Sequence, residues 1–322
     1  MVSYATVSAI QPIGQNRLVE NCIRIRVKYM TPAHNLVVSV AEQITLPDVY
    51  HQISDMVISP GTKIDDFVDV VNFDNALAER IIRIANSHFF GYSRKAHTVK
   101  QAISLIGVME LKDLLLSSLA IRAFSGFPVD VINQELFWRS CIYCGITARL
   151  LAKKCMLPAS GGLFTAGLLH EIGHIVMYTK TPELAQDVMC ESEQNNQPLF
   201  IVEREKLGYD YGQVSSEIMR LWHLSDSYCD IAIYHMEPEK AQKNKFENQI
   251  VNLARSLMLA EELNPEQAVD PFLNKSTDLI KDILTVQDVE TIKTNARLYV
   301  DDVIDCLWPF SRKVAPEWEI AL

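Results

Sequence analysis

The sequence predicts an all-α, multi-helix bundle with a short N-terminal extension of β character. Three observations carry that expectation. Apolar residues recur at helical spacing from Thr45 onward, residues suited to helix N-caps stand in front of several of those stripes, and a period-two run occurs only near the N-terminus. The chain has 322 residues, 48% hydrophobic and 22% charged, enough to bury a full core without a disulfide or metal staple. With 12 Gly and 13 Pro, collagen-like and low-complexity architectures are excluded.

The elements follow in order. Between Leu18 and Tyr29, Ile23, Ile25 and Val27 alternate with Arg24, Arg26 and Lys28, which reads as a strand; Leu36 to Val40 reads as a second short strand. Residues 1–42 are therefore expected to be an extension. Pro47 marks the approach to the first helix. Asp74 is placed to cap a helix carrying Leu77, Ile81, Ile84 and Ala85 on one stripe. Thr98 and Gln101 have capping-box spacing, and Gly107 punctuates before a Leu-rich helix from Glu110 to Phe124. A helix is expected from Gln134 to Cys155, with Phe137, Cys141, Ile142 and Leu150 toward the core. Pro158–Gly162 reads as a loop, followed by one apolar helix from Leu163 to Tyr178. Pro182 opens a short helix, Glu191–Pro198 reads as a loop, and helices follow near 201–207, 213–222 and 226–236. Residues 241–322 are expected to add two or three amphipathic helices, completing the bundle or mediating association, with a homo-oligomer as one outcome.

Composition narrows the function. The longest apolar runs, such as Leu114–Leu116, fall far short of the ~20 residues that span a bilayer. Thirty Lys+Arg against 40 Asp+Glu give a formal charge of −10, without the basic field of a nucleic-acid binder. The strongest basic run, Arg24–Lys28, reads as a solvated strand face. Met1–Gln15 lacks a secretory pattern, and seven scattered Cys fit reduced thiols, so a cytoplasmic protein is expected.

One motif has a catalytic form. His170-Glu171-Ile172-Gly173-His174 matches H-E-x-x-H, which on a helix sets two imidazoles on one face to grip Zn²⁺ with Glu171 as general base. A zinc protease also needs a third ligand. Tyr178 and Lys180 stand near where the longer motif has its Gly and third His, and Glu191, Glu193 and Glu203 are the downstream carboxylates. Cys141 and Cys144 are spaced C-x-x-C but read as packed thiols within an apolar helix. No Gly-rich phosphate loop and no serine nucleophile elbow occurs.

Three ordered segments resemble the HDOD domain family, a degenerate branch of the HD-superfamily phosphohydrolases. Asp74-Asn75-Ala76-Leu77 to Ala85-Asn86-Ser87, with Phe90-Gly91, is similar to the family's "DP-x-L…ANSA-x-FG" segment, with Asn75 for Pro and His88 for Ala. Ala102-Ile103-Ser104-Leu105-Ile106-Gly107 is similar to "AI-x-x-LG". Ala166-Gly167-Leu168-Leu169-His170-Glu171-Ile172-Gly173 looks like "AGLLHDIG", with Glu171 for Asp. Trp138-Arg139-Ser140, Glu203, Leu207-Gly208 and Trp222-His223-Leu224 continue the pattern. The resemblance covers about residues 43–240 and implies a helical bundle descended from a hydrolase and used in signal transduction.

It also implies a different reading of the motif. The position of His174 varies in HDOD-like sequences, so it is expected on the helix surface, while His170 and Glu171 stand for the His-Asp pair of the superfamily. HD phosphohydrolases hold divalent metal through a first His, the His-Asp pair and a late Asp. Here the first His falls at or next to Arg139, and the late Asp falls near Arg255. Tyr211 replaces one further histidine, and His235-Met236 keeps one of a His pair. Arginine has no acceptor lone pair and repels a dication. No cofactor is therefore expected; a divalent metal at His170 and Glu171 belongs only to the alternative reading, a surviving phosphohydrolase. A buried polar contact between His170, Glu171 and Arg139 is expected instead. Nucleotide binding without turnover, through Arg139, His235 and Arg255, is a further alternative. The expected role is a non-enzymatic regulatory module acting on signalling proteins.

Overall fold

The computed structural model describes residues 31–127, 131–157, 160–263, 269 and 278–308. The expected strand at 18–29 and its basic face lie outside them. The elements in chain order are α1 (Pro32–Val38), α2 (Asp48–Ile58), α3 (Ile64–Asn72), α4 (Asn75–Ala85), α5 (Val99–Ile106) and α6 (Val108–Phe124). Next come α7 (Gln134–Lys154), α8 (Ser160–Leu169), α9 (Ile172–Lys180), α10 (Pro182–Asn195), α11 (Leu199–Leu207), α12 (Tyr211–Leu221) and α13 (Asp226–Tyr234). The described chain closes with α14 (Lys245–Leu263), α15 (Asp278–Lys281) and α16 (Val286–Leu307). Among the described residues there is no strand.

Local signals explain the helix starts. The Asp74 carboxylate accepts from the N–H groups of Ala76 (2.9 Å) and Leu77 (3.1 Å), and α4 buries Leu77, Ile81, Ile84 and Ala85 as its stripe requires. Thr98 Oγ1 accepts from Gln101 N–H at 3.2 Å, while Gln101 reaches back to His97 N–H at 2.7 Å. Gly107, at φ +88°, turns α5 directly into α6. Asn86 sits at the C-cap of α4 and does more than close it. Its amide exchanges two 2.7 Å hydrogen bonds with the backbone of Ala96, pinning the loop between α4 and α5. Ser87 Oγ closes the same end on Ile84 C=O, and Gly91 takes φ +66° in that loop.

Three elements differ from expectation. Leu36–Val38 is the end of α1, not a strand. Thr31 caps it, Pro32 begins it, and Ala33, Val37 and Val40 enter the core at helical spacing while Val38 is left exposed. Glu191–Asn195 is helix, because α10 anchors only Ala185 and Val188 and its polarity marks a solvated face; Asn196, at φ +49°, ends it. The apolar stretch Leu163–Tyr178 is not one helix. α8 already begins at Ser160, in the stretch expected as a loop, and ends at Leu169; α9 starts at Ile172.

Packing centres on α7. It lies against α8, α14 and α16. α7 and α8 approach backbone to backbone at Gly145 and Gly167. A Cβ on Gly167 would lie 2.9 Å from Gly145 Cα and 3.0 Å from Cys144 O, closer than side chains pack. A second apolar cluster joins α3, α4, α5 and the start of α6. Trp138 and Trp222 are core residues, and Trp222 Nε1 donates to Ile44 C=O at 2.5 Å. Cys141 and Cys144 are buried free thiols.

Candidate functional site

The break between α8 and α9 creates the site. Ser215 on α12 takes two of the backbone groups that the break frees: its hydroxyl donates to His170 C=O at 3.0 Å and accepts from Gly173 N–H at 2.9 Å. Gly173 is close-packed here, since a Cβ would lie 2.2 Å from Tyr211 O. His170 and Glu171 therefore project from a turn, and the premise of a single helix carrying both histidines fails.

His170 is fully buried. Its Nδ1 lies 2.6 Å from Gly167 C=O, and since a carbonyl only accepts, Nδ1 carries the hydrogen. Nε2 lies 3.2 Å from Glu171 Oε1, a close ionic contact rather than an aligned hydrogen bond. The same oxygen accepts from Arg255 Nε at 3.3 Å. Glu171 is thus held between an imidazole and a guanidinium, and the Arg255 guanidinium lies 5.9 Å over the Tyr211 ring.

The other groups close around this core. His235 meets His170 edge-on, with centroids 5.0 Å apart. Its Nδ1 donates to Ile231 C=O or Ala232 C=O at 3.1 and 3.0 Å, so its Nε2 accepts from the Tyr211 hydroxyl at 3.1 Å. The N-terminal turn of α12 leaves Tyr211 N–H free, and Glu203 Oε2 takes it at 2.9 Å. Glu203 Oε1 pairs with His174 Nε2 at 3.1 Å. His174 is buried and stacked on Tyr178, with centroids 5.0 Å apart, which corrects its expected place on the surface.

Electrostatics separates the two central histidines. Burial opposes charge on His170, but the Cys144 sulfur and the Glu171 carboxylate override it and push its pKa up to about 10. Burial would raise the Glu171 carboxyl; the imidazole of His170, with Arg255 and His174, instead holds it well below the usual carboxylate range. Burial, with the charges of His170 and Arg255, holds His235 well below the ordinary imidazole value. At neutral pH His170 is charged and His235 is neutral.

This arrangement does not fit a divalent metal. One Glu171 oxygen, Oε1, is taken by the Arg255 guanidinium, a fixed cation beside the His170-Glu171 pair that would repel a dication. Among the described residues no group of three or more His, Cys, Asp or Glu side chains converges on a metal position. Of the carboxylates downstream of the motif, Glu203 alone enters the cluster; Glu191 pairs with Lys206. Arg139 does not supply the expected contact to His170 and Glu171. It points outward and pairs with Asp301 at 2.6 Å, while Arg255 supplies the cation. Ser215 was not foreseen, because it lies 45 residues along the chain from His170 and carries no motif of its own.

Glu171 also reaches a cleft of about 660 Å³ between α7 and α14. Leu136, Phe137, Met258 and Leu259 form its apolar wall; Arg139, Ser140, Tyr143, Glu261 and Glu262 supply its polar groups. No described helix is long and apolar enough to cross a membrane.

Comparison with known proteins agrees with this architecture. A sequence model described as the HDOD domain matches residues 44–238. A curated protein of Treponema pallidum (strain Nichols), itself uncharacterized, is 22% identical over 228 residues, 68% of this chain. The chain spans 43% of that relative's length. Among solved structures, an HDOD domain protein of unknown function from Geobacter sulfurreducens is similar with a TM-score of 0.65 at 19% identity, over 83% of this chain and 97% of that one. A protein provisionally named a phosphohydrolase, from Shewanella amazonensis SB2B, gives 0.68 at 16% identity, over 84% and 98%. One provisionally named a signal transduction protein, from Marinobacter aquaeolei VT8, gives 0.61 at 21% identity, over 85% and 65%. At these identities the likeness is one of fold.

Proposed function

Because the chain belongs to the HDOD domain family, we propose that it is a non-enzymatic regulatory protein that acts in signal transduction through contacts with other proteins. One observation carries the non-enzymatic part. Arg255 occupies the Glu171 oxygen on which a metal-dependent hydrolase would depend. A guanidinium stays protonated in proteins, so it is a permanent substitute for a dissociable cation. The signalling part is supported by the family and by the name of the Marinobacter neighbour.

The rival reading is a metal-dependent phosphohydrolase using His170 and Glu171. It needs Arg255 to leave Glu171 and two or more further ligands to arrive. The nucleotide-sensor reading draws less support, since Arg139 is already paired with Asp301. The H-E-x-x-H protease reading draws no support from the break before Ile172 or from the pairing of His174 with Glu203.

The test is elemental analysis of the full chain purified without a His tag and dialysed without chelator, together with phosphodiesterase and phosphatase assays in Mn²⁺ and Mg²⁺. The regulatory reading expects metal at background and no turnover above a His170→Ala control. One or two metals per chain, lost in His170→Ala together with activity, would overturn it.

A further inference from the structure

The cleft beside Glu171 has an unusual charge balance. Each nearby guanidinium is already matched within the protein: Arg139 to Asp301 (2.6 Å), Arg255 to Glu171 (3.3 Å) and Arg297 to Glu261 (2.6 Å). Glu262 remains. Its one hydrogen-bond partner here is the neutral hydroxyl of Ser140, and burial raises its carboxyl above the ordinary value despite that bond. An anion entering the cleft would meet Glu171, Glu261 and Glu262, with Arg139 as the one cation in the lining, already neutralised.

Two more observations point to a ligand. Tyr143 is 5% exposed and lines the cleft, and its hydroxyl has Thr147 beside it but makes no aligned hydrogen bond; Glu261 Oε2, also buried, has no partner. Buried polar atoms are normally satisfied, so unpaired acceptors on residues that line a cavity mark where a donor is missing. Leu136, Phe137, Met258 and Leu259 line the same cleft, whose volume of about 660 Å³ suits a small organic molecule. Leu136 is 61% exposed at the mouth.

We propose that this cleft binds a small organic cation with an apolar body, its amidinium, guanidinium or ammonium held by Glu262 and the Tyr143 hydroxyl oxygen. The apolar wall takes the body, and the head supplies the donors that the wall lacks. This goes beyond the regulatory reading and gives the cleft a ligand of opposite sign to a phosphate.

The test is calorimetric and thermal-shift titration of the full chain with benzamidine, which carries an apolar ring and a cationic head. Benzoate, inorganic phosphate and Mg²⁺ are run as parallel probes. Saturable one-site binding of benzamidine alone is expected, weakened about tenfold in Glu262→Gln, the scale of one charge-assisted hydrogen bond. Tyr143→Phe should weaken it by a smaller factor, about threefold, while leaving the unliganded melting temperature unchanged or higher, because an unpaired buried hydroxyl is removed. Leu136→Arg, a surface change that places a cation at the mouth, should abolish binding. Absence of saturable binding, equal binding of benzoate or phosphate, or an affinity untouched by Glu262→Gln overturns the proposal. None of these outcomes bears on the metal and turnover assays, so the two readings fail separately.

Discussion

If Arg255 is the built-in counter-ion of Glu171, the two residues must be energetically coupled. Glu171 Oε1 lies 3.3 Å from Arg255 Nε, and the side chains are 13% and 20% exposed, so solvent screens them little. At an effective dielectric of about 20, unit charges at that separation attract by about 5 kcal/mol before desolvation is counted. Desolvation offsets much of this in the intact pair. It does not do so when one partner is removed, and breaking a buried pair costs about 3–5 kcal/mol. His170 stays beside the carboxylate, 3.2 Å away, which favours the lower end for Arg255→Met, about 3 kcal/mol. Glu171→Gln leaves Arg255 and His170 as neighbouring cations and is expected to cost a similar amount. The double variant should cost about 3–4 kcal/mol rather than the sum, a coupling of about 2–3 kcal/mol. Urea unfolding followed by tryptophan fluorescence measures each term. Additivity within about 0.5 kcal/mol would refute the counter-ion argument. So would a stabilisation of the wild-type protein by Mn²⁺, since a ligand bound only to the native state raises its stability.

Four further outcomes are expected. Gly167→Ala should cost about 3 kcal/mol or more, because its Cβ would press on Gly145 Cα and Cys144 O, whereas Gly162→Ala on the same helix, with its nearest neighbour 3.5 Å away, should change stability by under about 0.5 kcal/mol; unfolding curves compare them. His174→Ala should leave metal content at background yet cost about 2–4 kcal/mol, because buried Glu203 loses the imidazole at 3.1 Å; a silent variant would put His174 back on the surface. Asp74→Ala should cost about 1 kcal/mol, read in the same way, through the two N–H groups it caps. Stability should peak near pH 6.5. His170, raised from 6.5 to about 10, contributes fully below pH 6.5 and loses its contribution as pH rises toward 10, while His235, held well below 6.5, contributes above that pH and loses it as pH falls. Melting temperatures from pH 5 to 10 should show both limbs, and His235→Asn should flatten the acid one.

What was legible in the sequence was local. Asp74, Thr98 and Gln101 act on backbone groups within four residues, so spacing alone places them. Leu36–Val40 was ambiguous because its residues satisfy a period of two and of 3.6 alike, and only burial of Ala33, Val37 and Val40 against the core decides between them. The break after Leu169 was invisible for the opposite reason. Apart from Glu171 the residues around it are apolar or buried, so no periodicity marks it, and the group that bonds the freed backbone, Ser215, is on a helix far along the chain. The same limit applied to the arginines. Their type told what they cannot do, which is coordinate a metal, but not which carboxylate each would meet.

That difference decides how the site is understood. Arg139 stands at or next to the expected place of a lost ligand and is spent on Asp301 at the surface; Arg255 reaches the surviving His170-Glu171 pair. A carboxylate of this kind requires a positive neighbour in order to stay buried and charged. In a hydrolase that neighbour would be exchangeable, and the exchange would leave a coordination position for water. Here it is tethered to α14, so the charge requirement of Glu171 is met by the fold itself. The polar cluster can then persist with no catalytic demand on it, because its buried carboxylate needs Arg255 whether or not anything is ever bound.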